Sequence, residues 1–230
     1  MIGIIGAMHE EIVELKSLMG EIEEINLASF IYYKGILEGK EIVLVESGIG
    51  KVNSSICTTL LIEKFKVEKV IFTGVAGGIG DDIEVGDIVI STDLVQHDVD
   101  VTAFGLPLGA IPRMENSFFE ADRELKELAK KSALKVFPIE KVREGRILSG
   151  DQFINGIEKI SWLRDTFNGE ACEMEGASVA HVCYLLNVPF VIIRAISDKA
   201  NNEAKVDFAE FVHLASKNSK EIVVNMLKEM

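Results

Sequence analysis

Basic residues are in short supply. The 230-residue chain carries 24 Lys and Arg against 37 Asp and Glu, a formal net charge of −13. Its sequence pI is about 4.8. A chain this acidic is repelled by phosphate backbones and anionic lipid, which argues against nucleic acid and membrane surfaces as partners and leaves small uncharged or zwitterionic ligands open. Cysteine is also sparse. Cys57, Cys172 and Cys183 are odd in number and lie in apolar runs, the pattern of buried reduced thiols rather than a disulfide framework. No apolar run approaches the roughly 18–20 residues that span a bilayer. The opening MIGIIGAMHEE is apolar too briefly, and is followed by acids too soon, to read as a signal peptide, so a cytoplasmic location is expected. Repeats, linkers and low-complexity segments are missing. So are the two common phosphate-binding spacings: GIIGAM has only Gly3 and Gly6, and no G-x-x-x-x-G-K-[ST] run occurs.

Hydrophobic residues make up 48% of the chain, enough for a substantial core, and the length suits one domain over residues 1–230. Short β-rich apolar runs alternate with helical patterns. Ile2–Ile5 predicts a buried strand and Glu10–Met19 a helix. Residues 29–47 predict two strands joined at Glu38-Gly39-Lys40, a hairpin signal. Helices are expected over 51–65, 121–134, 154–167 and 176–187, with strands at KVIFTG, GDIVISTDLVQHD, REGRILSG, EACEM and VPFVIIRAIS. Asp207–Lys228 shows apolar residues at helical spacing. This alternation indicates an α/β fold with a largely parallel, helix-covered sheet. Residues 104–117, with Pro107 and Pro112, have no clear period and predict a functional or partner-contacting loop.

Several positions invite chemistry. The glycine-rich stretches SGIGKVN (47–53) and TGVAGGIG (73–80) each follow a strand and are read as turns, which together could form one wall of a crevice. VPFVIIRAISD is a near-continuous apolar run ending in Ser197-Asp198 with Arg194 inside it. A carboxylate at the carboxyl end of a buried strand stands at the usual ligand crevice, and desolvation would make it a general acid; Asp198 could equally cap the next helix. Buried Arg194 must find an anionic or carbonyl partner. Glu11, in the first helical turn, is accounted for by the helix dipole alone. Glu173 and Glu175 flank Met174 where a strand enters a helix, with no basic residue beside them; the nearest in the chain is Arg164. His97, Asp98 and Asp100 do not make a convincing metal set, and no metal or cofactor is expected.

Eight stretches taken together resemble the 5′-methylthioadenosine/S-adenosylhomocysteine nucleosidases of the nucleoside phosphorylase superfamily. They are IGIIGAMHEE, SGIGKVN, TGVAGG, VGDIV, HDVDVTAFG, SGDQFING, EMEGASVAHV and VPFVIIRAISD, in order from residue 2 to about residue 212. The resemblance implies a single α/β domain with a mixed, twisted, partly barrel-like sheet flanked by helices. It implies hydrolysis of the N-glycosidic bond to adenine by a homodimer, without a cofactor, in methionine salvage. By position, Asp198 matches the acid that protonates adenine N7 and Glu11 the acid that positions water. Glu175 matches the ribose acceptor, with Met174 packed on the sugar. Phe153 matches the purine stack and Ile154 the backbone contact to its edge, with Ala76, Gly77 and Ser197 beside them. Met8, Ile49 and Phe208 match the alkylthio pocket, and Val101, Phe104 and Pro112 positions near it that are supplied in part across the dimer. Arg194 is a candidate partner for Glu173, whose side chain is expected to point away from the sugar. One departure is Val75, where the family often has serine.

The implied roles make chemical sense. Cleaving a nucleoside leaves positive charge on the ribose and negative charge on the base, as in other glycoside cleavages. An acid improves the leaving group, a carboxylate holds water, and a third carboxylate can accept both protons of a diol because it has only acceptors. A phosphorolytic relative needs cations for a phosphate dianion, and the two glycine stretches contain Lys51 but no arginine. Hydrolysis is therefore expected. A phosphorylase, an aminofutalosine-type nucleosidase and a non-catalytic nucleoside-binding protein are the alternatives.

Overall fold

A computed structural model of the chain describes residues 1–200 and 204–230 (of residues 205–207, the backbone only). The chain opens with β1 (Ile2–Gly6), α1 (His9–Leu18), β2 (Gly20–Leu27), β3 (Phe30–Leu37) and β4 (Lys40–Glu46). It continues through α2 (Lys51–Phe65), β5 (Lys69–Gly78), β6 (Ile88–Gln96), β7 (Phe119–Glu120) and α3 (Arg123–Ala133). Then follow β8 (Val142–Ser149), α4 (Ile157–Phe167), β9 (Gly169–Glu173), α5 (Gly176–Leu186), β10 (Phe190–Asp198) and α6 (Ala204–Glu229).

All strands belong to one mixed sheet. β10, β6, β8, β9 and β5 are bonded in turn, and β5 pairs again with β10, so five strands close into a barrel-like ring. From β5 the sheet continues through β1, β4, β3 and β2 as an open wing, and β7 adds to β6. β1, β4, β5 and β10 are mutually parallel where they pair, while β9 runs antiparallel to β5 and β6 antiparallel to β10.

β5 and β10 are buried along nearly their whole length because helices cover both faces, which is why they read as unbroken apolar runs. Alternate residues serve opposite cores. Ile4, Ile71 and Ile193 face one with Leu15 of α1 and Val223 of α6. Ile5, Phe72 and Ile192 face the other with Leu61 of α2 and Ala177 of α5.

Three points of the sequence reading need correction. Residues 73–78 are not a turn after a strand but the second half of β5, paired with β10 from Gly74 opposite Arg194 to Gly77 opposite Asp198. Their glycines are not among the residues of positive φ. They make room: a Cβ on Gly74 would lie 2.5 Å from Glu11 Oε1, and one on Gly78 2.6 Å from Ile83. The 47–50 stretch is the true turn, with Gly48 at φ +72° and Gly50 at φ +96°. β2 has no counterpart in the sequence reading. GEIEEINL is an exposed edge strand bonded only to β3, and its acids blunt that edge while hiding its period. The last helix begins at Ala204, three residues earlier than expected.

Candidate active site

The carboxyl ends of β1, β4, β5, β8, β9 and β10 open on one cavity of about 250 Å³. Its floor and walls come from the segments that follow those strands, the position where open α/β sheets hold ligands. Met8 and Glu11 reach it from the start of α1, Ile49 from the glycine turn, and Ala76 and Gly77 from β5. Phe153 and Ile154 follow β8, Met174 and Glu175 follow β9, Ser197 and Asp198 end β10, and Phe208 comes from α6. Ala7, Gln152, Cys172 and Ala200 also line it and were not singled out in the sequence, where nothing but adjacency to marked residues could have signalled them.

Glu11 is buried and heavily bonded. Its Oε2 accepts the N–H groups of Ala7 at 2.5 Å and Met8 at 3.1 Å, and its Oε1 accepts that of Val75 at 2.9 Å. Burial pushes its carboxyl above the ordinary value; the Arg194 charge and the three amides pull it back. The Val75 contact uses the backbone, so valine in place of serine preserves it and removes only a hydroxyl from the wall.

The paired acids around Met174 divide their roles at the strand–helix junction. Glu173, the last residue of β9, accepts the Arg194 guanidinium at 2.7 Å, the Gly176 N–H at 2.8 Å and the Ser149 hydroxyl. It thereby satisfies the first amides of α5 as well as a buried cation. Arg194 is itself fully enclosed, its guanidinium 4.0 Å above the Phe72 ring. Glu173 is among the residues that line the cavity, and the bonds of its carboxyl run to Arg194, Ser149 and the first amides of α5. Glu175 sits at the N-cap position and accepts the Gly50 N–H at 2.7 Å. Burial, with the Glu173 charge adding to it, pushes its carboxyl up to about 8.

Asp198 is 3% exposed. Its Oδ1 accepts the Ala200 N–H at 2.8 Å and its Oδ2 the Ser197 hydroxyl at 3.0 Å. These bonds fix its rotamer with the carboxyl bordering the cavity. It is no helix cap: Lys199 and Ala200, which follow it, are not helical, and Ala200 is at φ +51°. Opposite stand apolar groups, with Phe153 edge-on to Phe208 at 6.2 Å between ring centres.

Three expected contacts are not in this cavity. Val101, Phe104 and Pro112 do not line it. They belong to the segment after β6, where Phe104 is 86% exposed and Pro112 is exposed. Among the described residues, no group of three or more His, Cys, Asp and Glu side chains is placed to hold a metal ion, and no helix is long and apolar enough to cross a membrane.

The phosphorylase superfamily profile matches residues 1–228. The 5′-methylthioadenosine/S-adenosylhomocysteine nucleosidase of Actinobacillus succinogenes is 45% identical over 230 residues, covering 100% of this chain and 99% of that protein. The crystal structure of the Neisseria meningitidis nucleosidase of the same name, in complex with methylthio-immucillin-A, superposes with a TM-score of 0.95 at 42% identity, covering 100% of this chain and 99% of that one. A futalosine hydrolase of Helicobacter pylori superposes equally well, with a TM-score of 0.95 at 42% identity over 100% of this chain and 97% of that one. The chain belongs to the phosphorylase superfamily and, within it, to the 5′-methylthioadenosine/S-adenosylhomocysteine nucleosidases, enzymes that hydrolyse an N-glycosidic bond.

Proposed function

We propose that the protein hydrolyses 5′-methylthioadenosine and S-adenosylhomocysteine, releasing adenine and the 5-thioribose, and so serves methionine salvage. The observation that carries this reading is the meeting of Glu11, Glu175 and Asp198 around one largely apolar cavity. Asp198 gives its proton to N7 of the adenine, which leaves as a neutral base. Glu11, held by three amides, orients water on the other face of the sugar and takes up its proton as the C1′–O bond forms. Glu175 accepts from the ribose hydroxyls, and Met174 packs on the ring. Phe153 stacks on the purine, Ile154 meets its edge, and Met8, Ile49 and Phe208 enclose the thioether. Lys51, the cation of the glycine turn, is already bonded to Asp98 at 2.6 Å, which supports water over phosphate as the nucleophile. Adenine release, followed by chromatography, is expected at the same rate with and without added phosphate. A phosphate requirement would replace the hydrolase reading with a phosphorylase.

The futalosine hydrolase likeness supports a second substrate class, an aminofutalosine-type nucleoside, for the same site. Comparing base release from methylthioadenosine, S-adenosylhomocysteine, 5′-deoxyadenosine and aminofutalosine decides between them; release from aminofutalosine alone would overturn the first assignment.

The Glu175 carboxyl gives the affinity a pH dependence. In the free protein it is largely protonated below about pH 8. A diol donating two hydrogen bonds favours the ionised form, so binding expels a proton. Affinity then rises with pH, by up to about tenfold per unit below pH 8, and levels off above it. Titration calorimetry with a 7-deaza nucleoside, whose carbon at position 7 takes no proton, measures this. A flat profile for the wild-type protein, or an unchanged slope in Glu175→Gln, would remove Glu175 from the ribose.

The protein works as a homodimer in this reading. Ile49 and Phe153 are 54% and 50% exposed at the cavity mouth, and Phe104 and Pro112 are exposed and do not line it, which supports a second copy supplying them. A monomer in sedimentation at working concentration, with full activity, would contradict it.

A further inference from the structure

Three residues far apart in the chain meet beside the cavity, and the chemistry above uses none of them. Lys51 opens α2 directly after the glycine turn, Asp98 follows β6 and Asp151 follows β8. The Lys51 ammonium donates to Asp98 Oδ1 at 2.6 Å, the Asp151 N–H donates to Asp98 Oδ2 at 3.0 Å, and the Lys51 N–H donates to Asp151 Oδ1 at 2.9 Å. Each residue is bonded to both others, so the three close a ring. The Lys51 and Asp98 side chains are only 18% and 17% exposed. Burial pushes the Asp98 carboxyl up, but Lys51 and the Asp151 amide more than reverse this, so it stays ionised in place.

What the ring holds is visible from its neighbours. Gly50, one residue before Lys51, donates the N–H that Glu175 accepts. A Cβ on Gly50 would lie 3.2 Å from Asp151 Oδ1, so the glycine admits the aspartate against the turn. On the other side, Gly150 donates to the Glu173 carbonyl at 3.2 Å, and Phe153 and Ile154 follow two and three residues after Asp151. Asp98 and Gln152 also border a second cavity beside His97 and Lys159, and Gln152, next to Asp151 in the chain, lines both cavities. It ties the turn that orients one carboxylate to the loop that carries the base wall.

We propose that Lys51, Asp98 and Asp151 are positioning residues: by fixing the 48–50 turn they hold the Gly50 amide on Glu175, and so set the affinity for the ribose diol. This rests on the reading of Glu175 as the ribose acceptor. A carboxylate held in its bound orientation before the ligand arrives loses less freedom on binding. Without the ring, the amide that holds it moves with the turn.

The test uses the full-length protein and two uncleaved probes, a 7-deaza nucleoside with its diol and the 2′,3′-dideoxy counterpart. Lys51→Met and Asp98→Ala are each expected to weaken the diol probe about tenfold, equivalent to about 1.4 kcal/mol, with little change for the dideoxy probe. The double variant should lose no more than either single one, because the ring is one unit. Lys51→Arg, which keeps the charge, should recover most of the affinity. The dideoxy probe reports folding of the cavity in the same protein. Equal losses for both probes would mean general damage and overturn the proposal, as would no loss for either. If the wild-type protein does not prefer the diol probe, the ribose reading of Glu175 fails, and the proposal fails with it.

Discussion

Asp198→Asn is expected to lower adenine release by about 10²–10⁴-fold, the range that a positioned general acid contributes, while nucleoside binding persists. Asparagine has the same outline, and its oxygen can still accept the Ala200 N–H that holds Oδ1 at 2.8 Å. Its amide can also remain in the Ser197 contact and offer a hydrogen bond toward N7. What it lacks is a proton that can be given away. The base would then have to leave as an anion, and the burden falls on the transition state rather than on binding. The measurement pairs adenine chromatography with calorimetry on methylthioadenosine. Turnover within about threefold of wild type, far inside the range for a lost acid, would exclude Asp198 as the donor. Lost binding with intact fold would make it a recognition residue instead.

Arg194→Met is expected to destabilise the protein by about 3–5 kcal/mol, the usual cost of breaking a buried pair from one side. Arg194 is 1% exposed and its guanidinium pairs with Glu173 at 2.7 Å, so its loss leaves a carboxylate enclosed without its cation. The Ser149 hydroxyl and the Gly176 amide remain, which keeps the effect from being larger. For a chain of this length, a kcal/mol moves the melting temperature by about 2–4 °C, so a fall of about 6–20 °C should appear in a thermal scan. Removing both charges in Arg194→Met/Glu173→Gln should recover part of it. A shift below about 3 °C, under half the smallest expected from breaking such a pair, would show that the pair contributes little to the fold. Arg194 also lowers the Glu11 carboxyl, so the single variant should lose activity beyond its instability.

The parts of this fold that could be read from sequence are those whose burial is simple. β1, the β3–β4 hairpin and β10 carry unbroken or alternating apolar runs because their faces are fully or evenly covered. β2 could not be read, since an exposed acidic edge has no apolar period. β5 was cut short because glycines usually mark turns, whereas here they make space for side chains arriving from α1 and the segment after β10. The candidate site was legible where a polar residue ends a buried strand, as Asp198 does. Glu175 stood out because no cation lay near it in the chain; the cation for its neighbour came from β10, 21 positions away from Glu173. The Lys51–Asp98–Asp151 ring could not be anticipated, as its members are 47, 53 and 100 positions apart and no spacing links them. Phe104 and Pro112 were expected near the pocket through resemblance alone, and within one chain they lie outside it.

The absent side chain at residue 74 sets a limit on how this protein can change. The carboxylate of Glu11 fills the volume that any Cβ there would need, down to 2.5 Å. Alanine, the smallest alternative, would already push the Glu11 carboxylate off the amides of Ala7 and Val75 that hold it. A side chain at residue 74 therefore cannot be gained without a shift of Glu11: the cavity's walls, mouth and rim could change around it, but this gap cannot be refilled with the carboxylate left where its amides place it.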